Sequence, residues 1–585
     1  MQAALLLLLM IASTLTEVLS VGAVLPFLGV LIEPERVFSH RLAKPLVDFL
    51  GATAPKDIIL PVALFFCAAI ILATTIRQTM MLAQMRFGAA LATDFSVAAY
   101  RSTLFQPYSV HVARNSSEVI AGVSKAGDLG ATLVTPCLVT ISSIFLIAMI
   151  LTLLMWASPL LAFSLFLGFG IIYAVISLYT RRRLAAEGLL ISAESSRMIK
   201  ALQEGLGGIR DVLIAGSQAV YAALYQNSIF QVQRASANIL IVSQSPRFIV
   251  EGAGTVLIAG VAYLLAQRDG GLHAAIPILG GLAMGAQRIL PAMQQAYSSI
   301  TLIRGRVATT ADALDLLEQP LPTHALLPPA RPIPFEKTIV LERLRFRYSP
   351  STPWVLDGVN FAIRKGEMVG LIGITGSGKS TLIDIVMGLL EPTEGSLVVD
   401  GQQITIDNQR GWQTHIAHVP QSIFLADTTI AENIAFGMAG AGTDLNRVKS
   451  AAKRAQISTA IESWKDQYAT VVGERGVRLS GGQRQRIGIA RALYRNANVI
   501  IFDEATSALD NATESMVMES IEALGEEATI IIIAHRLTTL RNCHRIVELS
   551  EGKVSRIGSY QEIALSAGGE NQRELIPTAD IGTVI

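Results

Sequence analysis

Six apolar stretches fill most of the first 305 residues, near 3–32, 58–82, 130–156, 159–180, 238–266 and 274–303. Each is close to or longer than the roughly 20 residues that a helix needs to cross a hydrocarbon core. They predict an all-α, six-helix transmembrane domain over residues 1–318, with cytoplasmic extensions around Arg114–Asp128 and from Arg181 to about Ala237. The composition agrees, with 16% charged residues against the roughly 25% of soluble domains. Arg181, Arg182 and Arg183 directly follow the fourth stretch and mark that side as cytoplasmic. Six crossings then put both ends of the domain in the cytoplasm. Met1, Gln2 and Ala3 lead straight into the first stretch without a basic residue, which reads as a poor signal peptide and as a start that falls slightly late.

Residues 319–337 hold six prolines between Pro320 and Pro334, too many for a helix and suited to a stiff linker. From 338 to 566, β-branched runs at Thr338–Leu341, Met368–Ile374, Val499–Phe502 and Thr529–Ile533 alternate with helix-like segments, the pattern of an α/β domain. Residues 567–585 read as a loose polar tail. Inside the α/β domain, Gly373, Ile374, Thr375, Gly376, Ser377, Gly378, Lys379, Ser380 and Thr381 form a phosphate-binding loop between a strand-like and a helix-like run. Its glycines let backbone N–H groups close around a polyphosphate, Lys379 can reach the β and γ phosphates, and the Ser380 hydroxyl suits Mg²⁺. Val499–Asp503 reads as an apolar strand ending in a carboxylate that can hold Mg²⁺ through water, and Glu504 follows where it can polarise an attacking water. ATP and Mg²⁺ are therefore the expected cofactors. Cys67, Cys137 and Cys543 are far apart and predict neither a disulfide framework nor a metal site.

Leu479, Ser480, Gly481, Gly482 and Gln483 precede a helix rich in arginine. Together with the phosphate loop and the acidic strand end, this run resembles the signature of the ATP-binding cassette (ABC) transporters, a resemblance that covers essentially the whole chain. It implies that Gln421 is the loop glutamine sensing γ phosphate and Mg²⁺, that Ser507 to Asp510 form an inter-subunit loop, that His535 is the switch histidine, and that Tyr348 stacks on adenine. Tyr348 as a core-facing strand residue and His535 as a satisfied core imidazole are the structural alternatives. Glu504 is retained, so full ATPase activity is expected. In this family the signature of one cassette closes on nucleotide held by another, and the chain has one of each. A homodimer is the simplest assembly, with a heterodimer open. The segments Val110–Val119 and Gly205–Ile214 match loops that dock on cassettes, or are solvated connectors. A membrane domain ahead of one cassette resembles the exporter type in the bacterial inner membrane, its cassette in the cytoplasm.

Three features bear on cargo. Arg77, Arg247 and Arg288 lie 19, 19 and 14 residues inward from the outer ends of their stretches, roughly 20–30 Å deep at about 1.5 Å per residue. Arginines there are costly unless they face a polar cavity, and a dimer would present six to bind a diphosphate or another anion. Alternatively, Arg247 pairs with Glu251 four residues on, Glu17 pairs with another arginine, or the helices extend into the cytoplasm. The loop from Glu33 to Asp57 is either a short amphipathic surface helix that touches a lipid chain or a polar connector. Finally, Thr16–Leu31, Ser245–Gly254 and Gln287–Ala296 resemble the lipid-linked oligosaccharide flippases of bacterial N-glycosylation and their relatives in surface-polysaccharide clusters. That resemblance implies outward movement of a polyprenyl-diphosphate-linked oligosaccharide, with Arg77, Arg247 and Arg288 toward the anion. Lipid A, other lipids, drugs or peptides are alternative cargoes, and an ATP-gated regulator or channel subunit is the alternative class. Membrane lipid is an expected partner and nucleic acid is not. Asn115-Ser116-Ser117 fits a glycosylation acceptor but falls in a segment expected to be cytoplasmic.

Overall fold

The computed structural model describes residues 2–32, 35, 54–157, 159–266, 271–322, 331–437, 442–505, 511–522, 528–534 and 537–563. The chain divides into two compact units, Met1–Gln106 with Arg114–Leu321, and Pro107–Ala113 with Pro322–Ile585.

The first unit is helical. In chain order it contains α1 (Gln2–Gly22), α2 (Val24–Ile32) and α3 (Ile59–Leu104), and, after α4 (Tyr108–Ala113) of the second unit, α5 (Ser116–Leu129), α6 (Thr135–Ala157) and α7 (Pro159–Gly207). It continues through α8 (Ile209–Ile214), α9 (Gln218–Gln244), α10 (Pro246–Ala266), α11 (Gly271–Gly305) and α12 (Val307–Leu317). Among the described residues, Gln2–Ser20, Lys56–Leu104 and Ser116–Leu153 are long and apolar enough to cross a membrane. The other three predicted spans fall on α7, on the end of α9 with α10, and on α11. Helices α3 and α7 have 46 and 49 residues, about 70 Å at the α-helical rise and far longer than their apolar stretches. Hydropathy marks only the part a bilayer would cover, and the polar continuations are helical as well.

Two predicted spans are broken, and proline explains both. Pro26 has no N–H for the carbonyl of Gly22, where α1 ends and α2 begins after Ala23. Pro246 likewise offers nothing to the carbonyl of Val242, and α9 gives way to α10 at Ser245. The freed carbonyls are taken up by α11: the Tyr297 hydroxyl donates to Val242 O at 3.1 Å and Gln294 Nε2 donates to Ser243 O at 2.9 Å. Such replacement is what makes a proline break tolerable away from water. Farther along the unit, Lys125 joins three helices. Its ammonium meets Asp312 of α12 at 2.6 Å and donates to the Ser192 hydroxyl and carbonyl of α7, both at 3.2 Å.

The second unit holds two sheets. The strands and helices are β1 (Thr338–Phe346), β2 (Leu356–Arg364), β3 (Met368–Ile372), α13 (Lys379–Val386), β4 (Glu394–Val399), β5 (Gln402–Gln403), α14 (Gln409–Gln413) and β6 (Ile416–Val419). Then come α15 (Ile430–Ile434), α16 (Leu445–Arg454), α17 (Ser458–Glu462), α18 (Gly481–Arg495), β7 (Val499–Asp503), α19 (Asn511–Glu522), β8 (Thr529–Ile533), β9 (Arg545–Ser550) and β10 (Lys553–Gly558). The smaller sheet has the order β2-β1-β4-β5 and is antiparallel. The larger has the order β10-β9-β3-β8-β7-β6, parallel except for β10 at its edge. Its central strands read as unbroken apolar runs because both faces are covered. Ile500, Phe502, Ile530 and Ile532 enter one core, and Val499, Ile501, Ile531 and Ile533 the other, as a period of two requires.

Candidate nucleotide site

The phosphate-binding loop leaves the C-terminal end of β3 and enters α13 at Lys379. Gly373, Gly376 and Gly378 have φ of 150°, 85° and 99°, conformations in which a side chain is strained. They differ in surroundings. A Cβ at Gly373 would stand 2.3 Å from Leu549 O, and one at Gly378 would stand 2.9 Å from Val355 O, whereas one at Gly376 would meet nothing within 4 Å. Gly373 and Gly378 thus pack the loop against neighbouring backbone, and Gly376 leaves open space on the side that a polyphosphate would approach.

Two polar groups in the loop are poised for an anion. Lys379, 8% exposed, curls back so that Nζ donates to Gly373 O at 2.6 Å and Ile374 O at 3.0 Å. Burial holds its ammonium below the ordinary lysine range, while Glu504 and Asp503 act in the opposite sense. Among the described residues, the Ser377 hydroxyl is buried without a hydrogen-bond partner. A cationic Nζ on neutral carbonyls, a spare buried hydroxyl and the N-terminus of α13 fit a phosphate chain. Ser380 is exposed at the same helix start, and Thr381 is buried.

The acidic residues lie across the sheet. Leu371 and Asp503 both pair with Ile533, so Asp503 stands two strands from the end of β3, about 10 Å at normal strand spacing. Glu504 follows at φ 49°, and Gln421 Nε2 donates to its Oε2 at 2.6 Å. Asp503 and Ser380 are of the oxygen-bearing type that a hydrated Mg²⁺ takes, and Gln421 and Glu504 are hydrogen-bonded to each other. Tyr348 lies just beyond β1 with 53% exposure, its ring edge on Phe346 at 5.0 Å and its hydroxyl 3.2 Å from Thr381 Oγ1. It is an open aromatic at the rim, not a strand residue in the core.

Ser480 caps α18. Its side chain accepts from Gln483 N at 3.2 Å, and Gln483 Oε1 accepts from Ser480 N at 2.8 Å, a reciprocal capping box that leaves Gly481 and Gly482 in the first turn. The hydroxyl acts there as acceptor, so its O–H remains free to donate. Helix α18 packs on β6, three strands from β3 and so about 14 Å across the sheet. His535 and Ser507 to Asp510 lie outside the described residues.

Residues 356–507 match the ABC transporter family. Across the whole chain the fold is similar to that of a bacterial Atm1-family ABC exporter solved with ATP bound, with a TM-score of 0.79 and 22% identity over 97% of this chain and 96% of that one. The fold is that of an ABC exporter half-transporter. Among curated relatives, the leukotoxin translocation ATP-binding proteins LktB of Mannheimia glucosida and Bibersteinia trehalosi are each 40% identical over 231 residues, 40% of this chain. The match spans about a third of those relatives, 32% of each.

Sequence reasoning passed over two residues of the cassette. Asp384 is a lone carboxyl in the apolar run of α13, pushed up to about 6 by burial and then by Asp503. An acid among Leu382, Ile383, Ile385 and Val386 was its visible signal. Tyr108 belongs to α4, which groups with the cassette. Burial raises its hydroxyl's pKa, with Asp384 and then Tyr348 adding to the rise. Of the segment Val110–Val119, residues up to Ala113 go with the cassette and Arg114 onward with the helices. Gly205–Ile214 stays in the helical unit, where Leu206, Leu213 and Ile214 are exposed.

The candidate cargo arginines of this exporter fold are not bare charges. Arg77 Nη1 lies 3.2 Å from Glu17 Oε1, joining α3 to α1, and Arg247 Nε donates to Glu251 Oε1 at 2.7 Å on α10. Of the alternatives that the sequence left open, carboxylate pairing is the one realised for both. Arg288 falls on α11, and its side chain lies outside the described residues, as does most of the Glu33–Asp57 loop.

Proposed function

We propose that this chain is an ATP-driven exporter of the cytoplasmic membrane that works as a pair of identical subunits, hydrolysing ATP to move an amphipathic anion outward. The observation that carries the reading is the cradle between β3 and α13, with Lys379 held by carbonyls and Asp503 and Glu504 at the end of β7, two strands away. It stands in a chain whose other unit has helices of membrane-crossing length.

Each residue has a definite task in this reading. Tyr348 offers its ring to adenine. The N–H groups of residues 376–381, with the Ser377 hydroxyl, take up the phosphate chain, and Lys379 exchanges its carbonyl partners for β and γ oxygens. Ser380, Gln421 and Asp503 would hold Mg²⁺, which when bound would supply positive charge to the phosphate chain. Glu504 accepts a proton from the attacking water, and its hydrogen bond to Gln421 fixes the carboxylate's direction. His535 and Asp510 belong to the same site by family likeness. Ser480, Gly481, Gly482 and Gln483 come from the second copy: α18 packs on β6, three strands from the phosphate loop of its own chain, and the free O–H of Ser480 is a donor for γ phosphate. ATP closes two cassettes, and hydrolysis releases them.

For cargo we favour a polyprenyl-diphosphate-linked oligosaccharide, on the strength of Arg77, Arg247 and Arg288 in the membrane helices and the likeness of the stretches around them. The leukotoxin translocation role named for the LktB relatives favours a polypeptide as the second reading. ATPase activity of the full chain in liposomes, with Glu504→Gln as control, tests the first claim; a wild type no faster than the variant ends it. Translocation of labelled lipid-linked oligosaccharide in the same vesicles tests the second, with Arg77→Ala and Arg288→Ala compared. Equal rates in all three would remove the arginines from the mechanism.

A further inference from the structure

Glu17 is a carboxylate in an awkward place. It sits in the C-terminal third of α1, and its side chain is only 4% exposed. One oxygen faces Arg77 at 3.2 Å, and the other, Oε2, is buried with no hydrogen-bond partner among the described residues. The hydroxyls nearest in sequence are spent on the backbone, Ser20 on the carbonyl of Glu17 itself and Thr16 on Ala12 and Ser13. A carboxylate so enclosed is strongly disfavoured unless an opposite charge compensates it. Arg77 supplies that charge, and does so from the open side, since its own side chain is 41% exposed.

The second arginine pair is built differently. Glu251 is 48% exposed and lies four residues from Arg247 on the same helix, so it is not enclosed by helix packing if the arginine turns elsewhere. Glu17 has no such recourse. An anion that takes Arg77 must leave Glu17 uncompensated inside the helix packing, and the two compete for one guanidinium.

We infer that Glu17 is the counter-ion an anionic cargo must displace from Arg77, and that it thereby sets the affinity of the exporter for that cargo. The inference rests on the anionic-cargo reading given above and makes Glu17 a positioning residue acting through Arg77. It explains why an arginine inside the apolar stretch of α3 is tolerated without cargo: the pair is neutral as a unit. It also means that the wild-type site binds anions more weakly than its arginine alone would, which favours release after each cycle.

Binding of farnesyl diphosphate to the full chain in nanodiscs tests this, using wild type, Glu17→Gln, Arg77→Gln and the double variant. Glu17→Gln keeps the shape and removes the competing charge. It is expected to bind about tenfold tighter than wild type, and in transport assays to lower KM while slowing kcat. Arg77→Gln and the double variant are expected to bind alike, and weakly. If Glu17→Gln binds no tighter while Arg77→Gln weakens binding, the counter-ion role falls and the anionic-cargo reading stands. If Arg77→Gln binds like wild type, both fall. Should Glu17→Gln fail to fold, Glu17→Asp retracts the carboxylate by one methylene and is expected to tighten binding by a smaller factor; unchanged or weaker binding there overturns the proposal.

Discussion

Lys379 in the cassette and Arg77 in the helical unit are both cations at candidate anion sites, yet they are held in opposite ways. Lys379 rests on two backbone carbonyls, neutral dipoles that leave its full charge available to an incoming phosphate. Arg77 rests on a buried carboxylate that cancels its charge until something displaces it. The contrast suggests a division of labour. A nucleotide site in constant use benefits from a charge that needs no exchange, and burial is tolerated at the cost of a depressed lysine pKa. A cargo site must also let go, and a competing carboxylate supplies that.

The largest effects are expected where no substitute group exists. Lys379→Ala removes the only charge that the loop contributes and should abolish ATPase activity together with nucleotide binding. Glu504→Gln should instead retain nucleotide and lower turnover by about 10²–10⁴-fold, the usual worth of a general base. Binding of a fluorescent nucleotide beside phosphate release separates the two. A Glu504→Gln variant that hydrolyses at the wild-type rate would remove that residue from the chemistry and, with it, the distinction between holding and reacting groups.

The loop itself offers the next test. A methyl group at Gly373 would enter Leu549 O at 2.3 Å, and one at Gly376 meets nothing. Gly373→Ala should therefore destabilise the cassette by about 3 kcal/mol or more, as overpacking and strain combine, whereas Gly376→Ala should cost about 1 kcal/mol in backbone strain and act mainly on nucleotide affinity. Equal losses of stability would mean that the loop's packing against β9 is not what holds it in shape.

These residues also show how far the sequence could be read. The run from Gly373 to Thr381 and the strand ending at Asp503 were legible because their chemistry is local: a glycine spacing and an apolar strand with an acid at its end. Ser480 was legible only through its resemblance to the family signature; its capping box with Gln483, a local i, i+3 pattern, was passed over. The helical unit was legible only as hydropathy. It did not give the 46 and 49 residues of α3 and α7, because polar helix continues where apolar pattern stops. The breaks before Pro26 and Pro246 needed no more than the missing N–H, but their repair by Tyr297 and Gln294 is a contact 50 residues away. Glu17 was legible as a carboxylate in an apolar stretch; that its partner is Arg77, and not Arg247 or Arg288, depends on which helices pack.

A third cation held by a carboxylate sharpens the comparison outside the candidate sites. Lys125 is 10% exposed, and its partner Asp312 is 40% exposed, so the pair is half-buried and joins α12 to α5 and α7. Asp312→Asn leaves the ammonium with the Ser192 and Ser196 oxygens alone and should cost about 1–2 kcal/mol, between a surface and a buried ion pair. Read as a urea midpoint of the full chain, no change would mean that the serines suffice.

The smallest expected effect comes from Asp384, a half-buried acid whose one charged influence among the described residues is Asp503, and it depends on pH. Its carboxyl titrates near 6 in the folded chain, above the ordinary aspartate value of about 3.9. The folded state therefore binds this proton more tightly than the unfolded state, and stability falls as pH rises from about 4 through 6, then stays level. Asp384→Asn removes the penalty. Because the group is far from fully enclosed, solvent screening reduces the full shift to a gain of about 1 kcal/mol at pH 8. The gain should fade as pH drops through 6 and vanish near 4, where both states of the wild type carry the proton. Urea unfolding of the full chain at pH 8, 6 and 4.5, followed through the buried Trp412 of the cassette, measures it. A gain that did not change with pH would place the effect in packing, and leave Asp503 without influence on its neighbour.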